Sequence, residues 1–168
     1  DGKTDHIGQL TKTVKAADQA FFEDSFRRWL VGMVACAIND EAQNHQLMLL
    51  HGAQGKGKST FVRHLLPPEL KDYYRNGMIS PDNKDHLLQM SSCLLINLDE
   101  FNQISPQIQQ GFLKNLLQLP TVKIKPPYGS HVEEFPRLAS FIATSNMTDI
   151  LADPSGSRRF LGVELTGP

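Results

Sequence analysis

The segment LMLLHGAQGKGKSTFVRHLLPP sets Gly52, Gly55 and Gly57 around Lys56 and Lys58, then presents the hydroxyl of Ser59. A core strand that only had to turn would need one glycine. The run Gly52-Ala53-Gln54-Gly55-Lys56-Gly57-Lys58-Ser59 matches G-x-x-x-x-G-K-[ST] between a strand-like and a helix-like stretch. Glycines let successive backbone N–H groups converge on one anion, and the helix that follows adds its positive end. In such a cradle Lys58 would bridge β- and γ-phosphates and Ser59 would ligate Mg²⁺. The bland alternative is a glycine-rich turn with incidental lysines, which the flanking strand and helix disfavour.

Three further groups stand at strand ends. LLINLDEF closes an apolar run on Asp99 and Glu100. Asp99 is placed to hold the ion through water opposite Ser59, and Glu100 to orient an attacking water. A solvated acidic turn is the alternative. FIATSN ends on Asn146, whose amide could hydrogen-bond phosphate and nucleophile without adding charge, or could simply end a strand. After DPSG come Arg158 and Arg159. One of them could enter a neighbouring subunit's site and neutralise transition-state charge; a surface pair bridging to Asp153 or Glu164 is the plainer reading.

These residues need elements to carry them. A helix is predicted from Asp18 as N-cap, with Phe22, Phe26, Trp29, Leu30, Met33, Val34 and Ala37 on its inner face. Leu47–His51, Cys93–Leu98 and LASFIAT lack alternation, as buried parallel strands do, and RRFLGVEL is a final strand. A helix from about Lys58 must stop before Pro67-Pro68. Pro81–Met90 is weakly helical with Ser80 as cap, and Ser105–Gln118 is a helix with Ile108, Phe112, Leu113, Leu116 and Leu117 inward. TVKIKPPYGSHVEEF reads as a hairpin, and residues 1–17 as a loose lead-in to one domain over 18–168. Strands alternating with helices predict an α/β fold with a mostly parallel sheet.

Composition sets the bounds. The chain has 168 residues, 40% hydrophobic and 21% charged, with formal net charge −1, so no global basic field points to nucleic acid. Cys36 and Cys93 lie in apolar contexts, which suits buried thiols and a reducing cytoplasm. There is no CxxC or HxxxH spacing, no signal-peptide pattern, and no apolar run long enough to cross a membrane. The abrupt ends predict a piece of a longer protein.

The order of phosphate loop, LINLDE, PPYGS hairpin, PRLASFIATSN and DPSGSRRF resembles the virulence-associated protein E family, which is similar to superfamily 3 helicases within the AAA+ P-loop ATPases. The resemblance spans about Phe22 to Leu165. It implies a three-layer P-loop NTPase sandwich with the FIAT strand between the phosphate-loop and LINLDE strands. It implies Walker A over Gly52–Thr60, Walker B at Asp99 and Glu100, sensor 1 at Asn146 and a trans-acting finger at Arg158 or Arg159. It further implies homo-oligomeric rings, commonly hexamers, beside a primase or DNA-binding domain on phages or mobile elements. Residues 123–132 would form a channel hairpin touching single-stranded DNA, with Lys123 and Lys125 on one face and Tyr128 and His131 near the tip; Glu133 and Glu134 dilute that patch, and an ordinary surface hairpin is the alternative. The expected function is Mg²⁺-dependent ATP hydrolysis coupled to DNA remodelling or unwinding. A small-molecule or nucleoside kinase, and a nucleotide-regulated assembly module without enzymatic activity, stay open as other classes.

Overall fold

The computed structural model describes residues 3–80, 83–99, 115–126, 129–146 and 159–167. A mostly parallel six-stranded sheet forms its centre. The strands are β1 (Lys15–Ala16), β2 (Leu47–His51), β3 (Tyr74–Asn76), β4 (Leu95–Leu98), β7 (Ser140–Ser145) and β8 (Phe160–Gly167). Their spatial order is β1-β8-β2-β7-β4-β3. All neighbours run parallel except β1, which pairs antiparallel with β8. The FIAT strand, β7, thus lies between β2 and the LINL strand β4, the order that the family resemblance implies. The remaining strands, β5 (Thr121–Ile124) and β6 (Glu133–Pro136), form a separate antiparallel hairpin.

Burial on both faces explains why β2, β4 and β7 read as mainly apolar runs without alternation, with Asn97, Ser140 and Thr144 among their buried polar exceptions. Alternate residues of β2 serve opposite layers. Leu47 and Leu49 join Ile96, Leu98, Phe141, Met90, Leu116 and Leu117 in one cluster. Met48 and Leu50 join Leu95, Ile142, Phe22, Phe26, Trp29 and Val62 in the other. The second layer rests on α1 (His6–Thr11), α2 (Gln19–Ile38) and α3 (Lys58–Arg63); the first includes α4 (Lys84–Ser92) and the helical residues 115–118. The described residues thus form the mostly parallel α/β fold that the sequence predicts, with core clusters on both faces of the sheet.

Helix α2 starts where its cap dictates. The Asp18 carboxylate accepts from the Phe21 amide at 2.9 Å, and Trp29, fully buried, donates its indole N–H to the Phe141 carbonyl at 3.1 Å. Its inner face differs from the predicted one: Val34 is half exposed and Ala37 exposed, whereas Ser25 and Cys36 are buried. The helix rests its Phe22–Phe26–Trp29–Met33–Cys36 line on the sheet, and Val34 lies about a third of a turn off that line. The cap of α4 is Asn83, which accepts from the Asp85 and His86 amides, and not Ser80; Pro81 lies outside the described residues. So do positions 105–114 of the predicted Ser105–Gln118 helix.

Residues 5–17, expected within a loose lead-in, carry structure. Asp5 caps α1 through the Gly8 amide, Thr11 and Val14 are buried, and β1 adds to the outer edge of β8, extended by Ala17 N–H donating to the Glu164 carbonyl at 2.9 Å. Two residues of strand carry no readable period; their structure comes from the β8 edge they complete. A short 3-10 helix (Pro68–Tyr73) and β3 likewise go unannounced by the sequence.

Candidate functional site

The loop after β2 leaves the sheet at its carboxyl end with three glycines at positive φ: Gly52 at 134°, Gly55 at 81° and Gly57 at 76°. Gly57 is the N-cap of α3, in the left-handed conformation. Position 52 tolerates no side chain, because a Cβ there would meet the Leu165 carbonyl oxygen of β8 at 2.5 Å. Sequence alone suggests a flexible glycine; the packing adds a contact that only glycine permits.

Lys58 is almost wholly covered, 5% exposed. Its Nζ donates to the Gly52 and Ala53 carbonyls, both at 2.8 Å. Burial pushes its pKa below the ordinary lysine value. The ammonium is therefore held by the loop's own backbone, with two donor bonds in place. Next to it, His51 ends β2 with its Nδ1 buried and, among the described residues, without a hydrogen-bond partner. Burial lowers its pKa, Lys58 adds to that shift and Glu164 opposes it.

One cleft of about 390 Å³ gathers part of the predicted set. It is lined by Gln54, Gly55, Lys56, Gly57, Lys58, Ser59, Thr60, Asp99, Thr144, Ser145 and Asn146. The cleft opens at the carboxyl ends of β2, β4 and β7, where open parallel sheets collect ligands. Asp99 follows β4 directly; its Oδ1 accepts from the Thr144 hydroxyl at 2.7 Å and its Oδ2 from Asn76 Nδ2 at 3.3 Å. Asn146 is exposed at the end of β7. Glu100 and Arg158 lie outside the described residues.

The donor set suits a hard cation. Ser59 and Asp99 offer oxygen atoms to the same cleft. Among the described residues no group of three or more His, Cys, Asp or Glu side chains could hold a metal alone. Mg²⁺ usually binds through one or two protein oxygens, with phosphate and water completing its shell.

Arg159 sits elsewhere. It lines a separate depression with His45, Gln46 and Gln118, immediately before Phe160, which pairs with Leu47 at the amino end of β2. Five residues of β2 separate that level from Gly52, about 17 Å of strand. Arg159 cannot serve the cleft of its own chain.

The hairpin shares that amino end of the sheet. Its base is fixed by Arg137, which sequence reasoning passed over. Arg137 is 2% exposed. Its guanidinium donates to the carbonyls of Leu119 (2.8 Å), Ala139 (2.7 Å), Asn44 (3.2 Å) and Leu117 (3.4 Å), and stacks 5.7 Å from the Phe141 ring centre. Burial lowers its pKa. No spacing signal could have exposed this role, since an isolated arginine after a proline reads as surface. On the hairpin, Lys123 and Lys125 are exposed while Val122 and Ile124 are buried, as the alternation predicts. Lys123 faces Glu134 across the strands, with 3.8 Å between Nζ and Oε2. His131 Nε2 lies 4.0 Å from Glu133. Two lysines against two glutamates leave residues 121–136 without net charge when His131 is neutral. Tyr128 lies outside the described residues. Cys36 and Cys93 are free and buried, and among the described residues no helix is long and apolar enough to cross a membrane.

Comparison with known proteins places this geometry among relatives. Three solved structures of the NrS-1 C-terminal region, all in apo form, share the fold. Their TM-scores are 0.59, 0.57 and 0.61, at 18%, 19% and 20% identity, over 96%, 94% and 96% of this chain. The chain spans only 37%, 37% and 38% of those structures. No curated protein matches. A family model for the virulence-associated protein E-like domain matches residues 1–167, and the chain belongs to that family.

Proposed function

We propose that this domain is a P-loop ATPase of the AAA+ type, the motor of a phage- or mobile-element-type helicase or primase-associated protein, and that it couples ATP hydrolysis to remodelling of single-stranded DNA. The observation that carries the reading is the single cleft shared by Lys58, Ser59, Asp99 and Asn146 at the carboxyl ends of parallel strands.

The chain's own groups divide the work. Backbone amides of residues 53–59 would cradle the phosphates, aided by the amino end of α3. Lys58 would exchange two carbonyl partners for phosphate oxygens; its covered position gives that charge pair more weight than it would have in water. Ser59 and Asp99 would hold Mg²⁺, which when bound neutralises charge on the transferring phosphoryl group. Glu100 would orient the attacking water, and Asn146 would bridge water and phosphate. The distance of Arg159 from its own cleft favours a finger supplied by a neighbouring copy, and with it a ring. The hairpin would meet DNA through Lys125 and Tyr128, with Lys123 partly engaged by Glu134.

ATP turnover with and without single-stranded DNA, measured across protein concentration beside an oligomer-size measurement, tests this. Turnover should rise as the protein assembles, increase with DNA, and vanish in Lys58→Ala. An assembled wild-type protein that binds DNA but releases no phosphate would overturn the reading.

A further inference from the structure

We propose that Asn76, on the edge strand β3, is a positioning residue for the metal-holding carboxylate: it fixes Asp99 from one side while Thr144 fixes it from the other. The inference deepens the nucleotide reading above and rests on it. It begins from an unforeseen polar cluster at the carboxyl ends of β3, β4 and β7. Asn76 pairs in register with Asn97 of β4. Asn97 and Asp99, two residues apart, point to the same sheet face, the one that α3 helps to cover, since Leu95 and Ile142 share a cluster with Val62.

The hydrogen bonds have one consistent direction. Asn76 Oδ1 accepts from Asn97 Nδ2 at 2.7 Å and from the Tyr74 hydroxyl at 3.4 Å; Asn76 Nδ2 donates to Asp99 Oδ2 at 3.3 Å. An ionised carboxylate only accepts, so it selects the N–H₂ end of Asn76. Reversing that amide would set oxygen against oxygen at Asp99 and N–H against N–H at Asn97. Asn97 is 1% exposed, which locks the far end of the relay. Thr144 closes the other side at 2.7 Å. Each carboxylate oxygen is thereby engaged by a different neighbouring strand, and the plane of the group is set before an ion arrives. Partners outside a metal's ligand shell commonly tune affinity in this way.

The test measures Mn²⁺, as a spectroscopic stand-in for Mg²⁺, bound together with a non-hydrolysable ATP analogue by electron paramagnetic resonance. Wild type, Asn76→Ala, Asn76→Ser and Arg75→Ala are compared; Arg75 is its exposed neighbour on the same strand. Asn76→Ala should weaken Mn²⁺ about threefold to tenfold, at or below the low end of the roughly 10–100-fold span for such partners, because Thr144 remains. Metal-free analogue affinity and melting temperature should stay near wild type, a separation that a merely structural role would not produce. Asn76→Ser, too short to span to Asp99, should behave like alanine and covers the case of an alanine variant that does not fold. Arg75→Ala should match wild type. Mn²⁺ affinity unchanged in both Asn76 variants would overturn the inference and leave the nucleotide reading standing. A wild-type protein that binds no analogue would overturn both.

Discussion

Replacing Gly52 by alanine should cost more than replacing either other glycine of the same loop, because of where its side chain would go. At φ +134° position 52 lies in a region that residues with a Cβ rarely enter, at about 1–3 kcal/mol. Its added Cβ would also sit 2.5 Å from the Leu165 carbonyl oxygen. That oxygen belongs to backbone that cannot easily give way, because β8 is flanked by β2 on one side and β1 on the other. Together these effects come to about 3 kcal/mol or more. Gly55 and Gly57, at φ 81° and 76°, have nothing within 4 Å of the added atom, so alanine there costs only the left-handed penalty of about 1 kcal/mol. For a chain of this size 1 kcal/mol moves the melting temperature by about 2–4 °C. Thermal and urea unfolding without nucleotide should therefore show Gly52→Ala about 6–12 °C below wild type and Gly57→Ala about 2–4 °C below. Equal losses in the two variants would refute the close approach of β8 to the loop, and with it the register that aims the loop at the cleft.

Other consequences follow from the same structure. Because His51 is held below its ordinary pKa of 6.5, the unfolded chain binds its proton first; stability should fall as pH drops through 6.5 towards the depressed folded value, and His51→Gln should flatten that part of a urea-unfolding profile against pH. Arg137→Met should cost about 3 kcal/mol in equilibrium unfolding, since four backbone carbonyls lose a donor; a cost under 1 kcal/mol would show that water replaces the guanidinium. Arg159→Ala should lower turnover of the assembled protein while sparing ATP affinity, and mixing it with Glu100→Gln should restore some turnover; absence of rescue counts against a finger acting between subunits.

Much of the fold is legible because its central strands are buried on both sides. Such strands are apolar at most positions on both faces, so LMLL, LLINL and SFIAT announce themselves despite Asn97, Ser140 and Thr144, and the polar or charged residues that follow each run mark the carboxyl end of the sheet. That is why the glycine-rich loop after β2, Asp99 and Asn146 can be grouped from the sequence, and one cleft holds them. Edge elements are another matter. Lys15–Ala16 and Tyr74–Asn76 are short, partly polar and dependent on the strand they join, so no local pattern reveals them. The predicted inner face of α2 holds at Phe22, Phe26, Trp29 and Met33 but not at Val34 and Ala37, for a related reason: a twenty-residue helix with apolar residues on several sides, Val31, Val34 and Ile38 among the exposed ones, does not declare where its buried line ends. Arg137 and Asn76 escape notice because their roles arise from backbone carbonyls and a carboxylate that only the folded chain brings near. Arg159 is readable as a cation, yet its place at the far end of the sheet is a fact of topology.

Whether the cleft binds nucleotide can be read from equilibrium titration of the protein with a fluorescent ATP analogue, with and without Mg²⁺. Saturable binding that strengthens with Mg²⁺, and that Lys58→Ala abolishes while the variant still melts as a folded protein, is the predicted result. Binding that is absent in folded wild type, or indifferent to Lys58, would contradict it.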